Sequence, residues 1–531
     1  LMRLYQSDST KGFDRLAIEA SEKYSSRGLL ELLTESGAQI RQGVDPTLLE
    51  REQTLARELN VKAASQITLL GQSSSTEQIA ALKQEISQLE TDYEQVQAAI
   101  RRTSPRYAAL VQPQPLSVAE IQHLLDPETL LLKYSLGAQR SYLWAISDSS
   151  VTSHELPNSD EVEKSARKLY ELLTVRTLSP KNETAVEKRQ RVQRAEAELL
   201  QAAQQLSKMI LGPATERLGR KRLVIVADGA LQYVPFAMLP VPQKKAKIAK
   251  TGEQTYRPLI VDHEIVSLAS VSALAVQRRE LVNRKPAPQA LAVIADPVFE
   301  ANDVRIETVK NQEVVKVDQP QAEAANTRRL EYDTETKFAI TRLPFTRQEA
   351  DQILAQIPAL TNLEATDFKA NHAMVLSGAL SNYRYIHFAT HGYLDTERPG
   401  LSAIVLSMVD EQGQPQDGFL RAHEIYNLNL PAELVVLSAC QTGLGKEIKG
   451  EGLIGLTRGF MYAGAKRVVV SLWSVNDKAT ADLMEKFYRG MLKDNERPAA
   501  ALRAAQIEMW KQKQWQSPYY WSAFVIQGEW R

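Results

Sequence analysis

The sequence predicts an α/β protein, a mostly parallel sheet flanked by helices, preceded by an all-α N-terminal region. Three observations carry that expectation. Apolar residues recur at 3,4 spacing over three heptads between Ile79 and Ile100, the mark of an amphipathic helix. From about residue 115 the texture changes to short β-rich runs alternating with helical stretches. After about residue 335 that alternation becomes regular, which implies parallel strands covered on both faces.

In chain order, residues 10 to 40 read as helical, with Phe13, Leu16, Ala17 and Ala20 on one face and Leu29, Leu30, Leu32 and Leu33 in a second apolar patch. Two longer helices follow. One runs from about Pro46 to Leu70; the other carries the stripe Ile79, Leu82, Ile86, Leu89, Tyr93, Val96 and Ile100 and is stopped by Ser104-Pro105. Pairing across Gly71-Gln72-Ser73-Ser74-Ser75 buries the stripe as an antiparallel hairpin; a coiled coil between two chains is the rival. Leu130 to Tyr134 and Tyr142 to Ile146 read as a strand pair, and helices fill 160 to 211. Leu223 to Ala227 is a strand ending in Asp228-Gly229, Ile265 to Ala269 a strand running into a helix, and Leu291 to Ala295 a strand ending at Asp296-Pro297.

Residues 301 to 335 are polar with little periodicity and read as a loop or linker. Helices at 347 to 356 and near 370 to 380 follow, then the strands Tyr385 to Thr390 and Ser402 to Ser407. A turn through Gly413 and Gly418 leads to the strand Leu434 to Ser438, a helix from about Gly452 to Tyr462, and the strand Val468 to Leu472. Two more helices and a strand near Phe524 to Ile526 come last.

Composition narrows the function classes. The 531 residues are 44% hydrophobic, enough for two to four domains. Lys plus Arg equals Asp plus Glu at 64 each, so no global field attracts a polyanion, and nucleic acid is not expected as a partner. The basic run Lys244 to Lys250 reads as a solvated loop. No stretch of 18 apolar residues and no charged-then-apolar leader is present, so neither a membrane span nor a signal peptide is expected, and the expected location is the cytoplasm. Leu1-Met2 reads as an edge or a processed start rather than a natural beginning. The single cysteine, Cys440, excludes intrachain disulfides and a multi-cysteine zinc site.

In open parallel sheets reactive groups gather beyond the carboxyl ends of the strands. Tyr385-Ile-His-Phe-Ala-Thr-His-Gly392 delivers His391 and Gly392 at such an exit, and Leu434-Val-Val-Leu-Ser-Ala-Cys-Gln-Thr-Gly443 delivers Cys440. If the two strands are neighbours, imidazole and thiol face one cleft. A free thiol titrates near 8.5, so a nucleophilic cysteine needs a base, a cation or a helix N-terminus beside it, and His391 supplies the first. Acyl transfer also needs donors for the oxyanion, for which the backbone N–H groups of Gly392 and Cys440 are the candidates.

His387-Phe-Ala-Thr-His-Gly392 followed by Leu437-Ser-Ala-Cys-Gln-Thr-Gly443 resembles the CHAT family of caspase-like peptidases related to separase. Asp228-Gly-Ala-Leu-Gln-Tyr-Val-Pro-Phe236, Gly450-Glu-Gly-Leu-Ile-Gly-Leu456, Ala463-Gly-Ala465 and Ser471-Leu-Trp-Ser-Val-Asn-Asp477 extend the resemblance over roughly 115 to 531. It implies a caspase-like sheet, a His391–Cys440 dyad, a non-catalytic α/β half at 115–300 and a catalytic half at 336–531. It also implies upstream tetratricopeptide-type repeats, of which residues 1 to 45 resemble the tail, with the hairpin completing a helical region at 1–110. Ser438, Trp473 and Asp477 are the candidate pocket or supporting residues. Separase relatives carry several aspartates after Leu-Trp; here Ser474, Ala479 and Ala481 stand where acids are expected, so a preference for arginine at P1 is not carried over.

Each residue also has a plainer reading. A lone cysteine is usually a small buried hydrophobe, but a strand exit before Gln-Thr-Gly favours the nucleophile. His387 reads as a packed or supporting histidine, and His372 and His423 as structural or exposed. Asp477 fits a helix N-cap or first-turn acid, and Trp473 equally fits core. Gly450-Glu-Gly-Leu-Ile-Gly455 matches G-x-G-x-x-G without the strand that must precede it, and Gly443-Leu-Gly-Lys446 lacks the magnesium-holding hydroxyl, so nucleotide binding is not expected.

The expectation is a cysteine endopeptidase acting on a protein or peptide substrate, without cofactor or metal, gated by its helical part or by a regulatory protein partner there. Self-cleavage in the polar loop, for instance near Arg328-Arg329, is the minority reading of that segment. The rival is a catalytically silent caspase-like scaffold or interaction module; a non-peptide acyl hydrolase is a third reading.

Overall fold

A computed structural model describes residues 1–23, 45–70, 76–103, 116–178, 180, 182–242, 256–282, 284–306, 340–393, 401–425, 427–438 and 451–531. The fold is mixed α/β with a mostly parallel sheet arrangement flanked by helices and a helical N-terminal region, as the sequence predicts. The strands are β1 (Thr129–Ser135), β2 (Ser141–Ile146), β3 (Val151–Leu156), β4 (Arg222–Val226) and β5 (Ile265–Ser267). Then come β6 (Gln289–Ala295), β7 (Asn362–Thr366), β8 (Tyr383–Ala389), β9 (His391–Tyr393), β10 (Ala403–Val405), β11 (Phe419–Arg421) and β12 (Leu434–Leu437). Last are β13 (Arg467–Ser471) and β14 (Phe524–Gly528). The chain divides into two compact units: Leu1–Leu29 with Gln114–Arg284 and Arg467–Arg531, and Leu30–Pro113 with Lys285–Lys466.

In the first unit the order is β3-β2-β1-β4-β5-β14-β13. β1 pairs antiparallel with β2 and parallel with β4, and β5 runs parallel to both β4 and β14. The helix Ala185–Ile210 is fastened to β1 by the Tyr134 hydroxyl, which donates to the Ile210 carbonyl at 3.1 Å. Helical residues 13–23 insert Glu22 into this unit. Its carboxylate accepts from the amides of Val271 (3.1 Å) and Ser272 (3.0 Å), two of the unpaired donors that open the helix Val271–Leu281.

In the second unit β12-β8-β6-β7 is parallel throughout. Ile386 to Ala389 of β8 and all of β12 are buried, as strands covered on both faces require. A small antiparallel sheet, β11-β10-β9, stands beside it. The helices Pro46–Leu70 and Thr76–Thr103 pack together: Leu59 joins Leu82 and Ile86 in one apolar cluster that also takes in Leu401, and Lys62 meets Glu85 at 2.6 Å. Asn60 donates to Glu424 at 2.8 Å.

β3 and β7 were not legible in the sequence. Both are edge strands that mix polar residues into both faces, Thr152, Ser153, His154 and Glu155 in one and Asn362 and Glu364 in the other, which blurs the period-two signal. The helix expected near 370 to 380 is shorter, His372–Leu376, because Gly378 at φ +82° turns the chain into a separate 3-10 turn. Residues 24–40, the turn 71–75, the basic run at 244–250, most of the polar segment 301–335 with Arg328-Arg329, and Cys440 with the glycines at 443, 445 and 450 lie outside the described residues. Among the described residues no helix is long and apolar enough to cross a membrane.

Candidate active site

β8 and β12 are parallel neighbours, with Phe388 opposite Leu437. The Ser438 amide donates to the Phe388 carbonyl at 2.8 Å, so the ladder extends one residue beyond β12, and Ser438 is fully buried. On the β8 side the chain bends at Thr390, whose buried hydroxyl donates to the Val405 carbonyl at 2.6 Å. That bond turns the backbone out of the parallel sheet and into β9, where His391 lies opposite Val405 and Gly392 opposite Ile404. His391 therefore sits where two sheets part company, at the carboxyl end of β8.

The His391 side chain has no exposed surface. Its Nε2 lies 2.7 Å from the Thr341 carbonyl oxygen, and the Phe299 ring stands 5.3 Å away, tilted by 58°. A carbonyl oxygen only accepts, so Nε2 carries the proton, and in the neutral ring the lone pair belongs to Nδ1. The segment before the helix Pro344–Leu354 thus fixes the tautomer of the candidate base.

His387, two residues upstream on the same strand, is also fully buried, with Nε2 3.0 Å from Glu349 Oε1. That agrees with a packed histidine. His372 meets Glu424 at 3.0 Å. Burial opposes the His372 charge, but the hydrogen bond and the charge of Glu424 outweigh it and raise its pKa.

Trp473 and Asp477 belong to the other compact unit. Trp473 is 1% exposed; its Nε1–H donates to the Tyr519 carbonyl at 3.1 Å and its ring meets Tyr170 edge-on at 6.3 Å, so there it fills core. Asp477 opens the helix Asp477–Leu492 and is the acid of its first turn, while the cap is Asn476, whose Oδ1 accepts from the Ala479 amide at 3.0 Å. Of the sequence-derived site residues, the structure brings together His391, Gly392 and Ser438.

Thr341, Phe299 and Glu349 were not found from the sequence. Thr341 acts through a backbone carbonyl, which leaves no residue-type signal, and it follows the aperiodic polar stretch. The one visible hint was Asp296-Pro297 at the exit of β6, since Asp296 holds Arg342, the residue after Thr341.

The described site is thus a parallel α/β sheet with a tautomer-fixed histidine at one strand end and a neighbouring strand leading toward the sole cysteine. The CHAT domain profile matches residues 200–529, and the chain belongs to the CHAT domain family. It is 25% identical over 330 residues, 59% of its length, to human tetratricopeptide repeat protein 28, and 34% identical over 109 residues, 20% of its length, to the mouse protein of that name. It spans only 12% and 4% of those relatives. The separase–securin complex of Saccharomyces cerevisiae aligns at a TM-score of 0.44 with 11% identity, covering 96% of this chain and 40% of that one. The arginine-specific cysteine proteinase gingipain R aligns at 0.35 with 11% identity, covering 62% and 67%.

Proposed function

We propose that this protein is a cysteine endopeptidase in which Cys440 attacks a scissile carbonyl and His391 serves as its acid–base partner. The observation that carries the reading is the register of β8 and β12: His391 and Cys440 each stand three residues beyond the paired rung Phe388–Leu437. In a parallel pair, equal offsets past one rung leave the two chains at the same end of the sheet, where loops meet ligands. With Nε2 committed to Thr341, Nδ1 is the atom that takes the thiol proton and returns it to the leaving amine. The amides of Gly392 and Cys440 are the proposed oxyanion donors. The substrate is a protein or peptide, and no cofactor enters these steps.

The complete burial of His391 favours gating, because an imidazole without exposed surface must be uncovered before a polypeptide reaches it. The helical hairpin is the candidate gate, since it packs on Leu401 and bonds Glu424, residues flanking β10 and β11 of the small sheet that carries His391. A protein partner at the helical part is the proposed trigger. In full-length protein, an Asn60→Ala rate equal to wild type, with and without cell extract, counts against the hairpin as gate. The same burial favours the second reading, a catalytically silent scaffold.

Electrophilic peptide probes bearing different P1 groups separate the two, since the chain has one cysteine to label. Labelling at Cys440, and peptide-library cleavage lost in Cys440→Ala, supports the peptidase. Unlabelled Cys440 and no turnover, with and without cell extract, overturns it.

A further inference from the structure

Asp296 and Arg342 form an anchor one residue away from the carbonyl that holds His391. Asp296 ends β6 in the left-handed region, φ +48°, which places its carboxylate inward with no exposed side-chain surface. Arg342 grips that carboxylate with both arms, Nε to Oδ1 at 2.9 Å and Nη2 to Oδ2 at 2.7 Å, the planar two-bond geometry that fixes direction as well as distance. Arg305 reinforces the corner: its Nη1 lies 3.3 Å from Asp296 Oδ2, donates to the Asp296 carbonyl at 2.8 Å and reaches Asp367 at 2.7 Å. Arg347 stands 3.6 Å from the same oxygen and also pairs with Asp367.

We infer that Asp296 and Arg342 are positioning residues for the His391–Cys440 chemistry, holding the Thr341 carbonyl on His391 Nε2 and so setting which ring nitrogen is basic. The inference rests on the peptidase reading above for its consequence, but its geometry is independent of it. Thr341 reaches the ring only with its backbone, so the anchor must act on the chain, and the fork on the adjacent Arg342 adds a directional restraint to the burial of Ile340 and Leu343 on either side. Residues 340 to 343 form neither helix nor strand, so no ladder shares the task. A fork between a guanidinium and a fully buried carboxylate resists sliding where a single neutral hydrogen bond would not.

The test is nitrogen NMR of 15N-histidine-labelled full-length protein, which reads the tautomer of His391 directly, beside the pH profile of Cys440 alkylation. Arg342→Gln is the principal variant, because Arg342 is 39% exposed and its loss leaves no buried hole, whereas Asp296→Ala strands several guanidiniums and risks the fold. Arg342→Lys keeps the charge without the fork, and Asp296→Asn keeps the shape without the charge.

The expected result is a His391 signal of pure Nε2–H form in wild type and a mixture of tautomers in Arg342→Gln. Neutral-pH alkylation should fall about tenfold, a part of the hundred- to ten-thousandfold that general acid–base groups supply. Arg342→Lys should restore the tautomer partway, which a merely structural role would not produce. An unchanged tautomer in folded Arg342→Gln overturns the inference, whatever the alkylation rates. If His391→Ala leaves the wild-type alkylation profile unchanged, the dyad fails instead, and the tautomer data still decide the role of the anchor.

Discussion

The ammonium of Lys133 lies 2.8 Å from the Glu22 carboxylate, and neither side chain has any exposed surface. A β1 residue and a residue of the N-terminal helical segment thus form a buried ion pair within the first unit. Removing one partner of such a pair leaves an uncompensated charge in the interior. Glu22→Ala should destabilise the protein by about 3–5 kcal/mol in denaturant unfolding, and the pair Glu22→Leu with Lys133→Met should recover part of that loss. Equal stability of Glu22→Ala and wild type would show that the N-terminal segment is not docked this way.

The same pair predicts an acid response. Burial alone would raise the Glu22 pKa, but the Lys133 charge and the Ser272 hydrogen bonds outweigh it and hold the group below 4.5. A depressed carboxylate stabilises fully above its unfolded value, and that contribution fades as the pH falls through the lower folded value. Melting temperature should drop more steeply below about pH 4.5 in wild type than in the Leu/Met double variant. Parallel curves would contradict it.

His372 predicts the opposite sign in the second unit. Its pKa is raised above 6.5, so its contribution is full below that value and is lost as the pH rises through the folded value. Stability should therefore decline as the pH rises past 6.5 in wild type, and less so in His372→Gln. Glu424, which also accepts from Asn60, makes hairpin amides the place to look. Hydrogen-exchange protection factors there, corrected for the intrinsic base catalysis, should fall on the alkaline side; protection independent of pH rejects the link.

Ile86 is fully buried against Leu59, Leu82 and Leu401. Ile86→Ala should cost about 2–5 kcal/mol, the transfer loss plus the cavity left behind, measured by denaturant unfolding. A change below 0.5 kcal/mol would mean that the cluster does not hold the hairpin.

If the proposed dyad operates, effects should be strongly non-additive, because a nucleophile and its base act as one unit. His391→Ala is expected to lower peptide cleavage by about a hundred- to ten-thousandfold, and adding it to Cys440→Ala should lower it no further. Multiplicative losses in a rate assay would place the two residues in separate roles.

The α/β class, the helices Pro46–Leu70 and Thr76–Thr103, and the strand ends that carry His391 and lead to Cys440 were determined by the sequence alone. Hydrophobic periodicity is a local property, and a buried parallel strand announces itself by its unbroken apolar run. Only the tertiary structure decided that β8 and β12 are neighbours, that Thr341 holds His391, that Asp296 grips Arg342, and that Trp473 fills core. Those depend on backbone atoms and on pairings between residues far apart in the chain. No pattern of side chains encodes them until the sheet has been assembled.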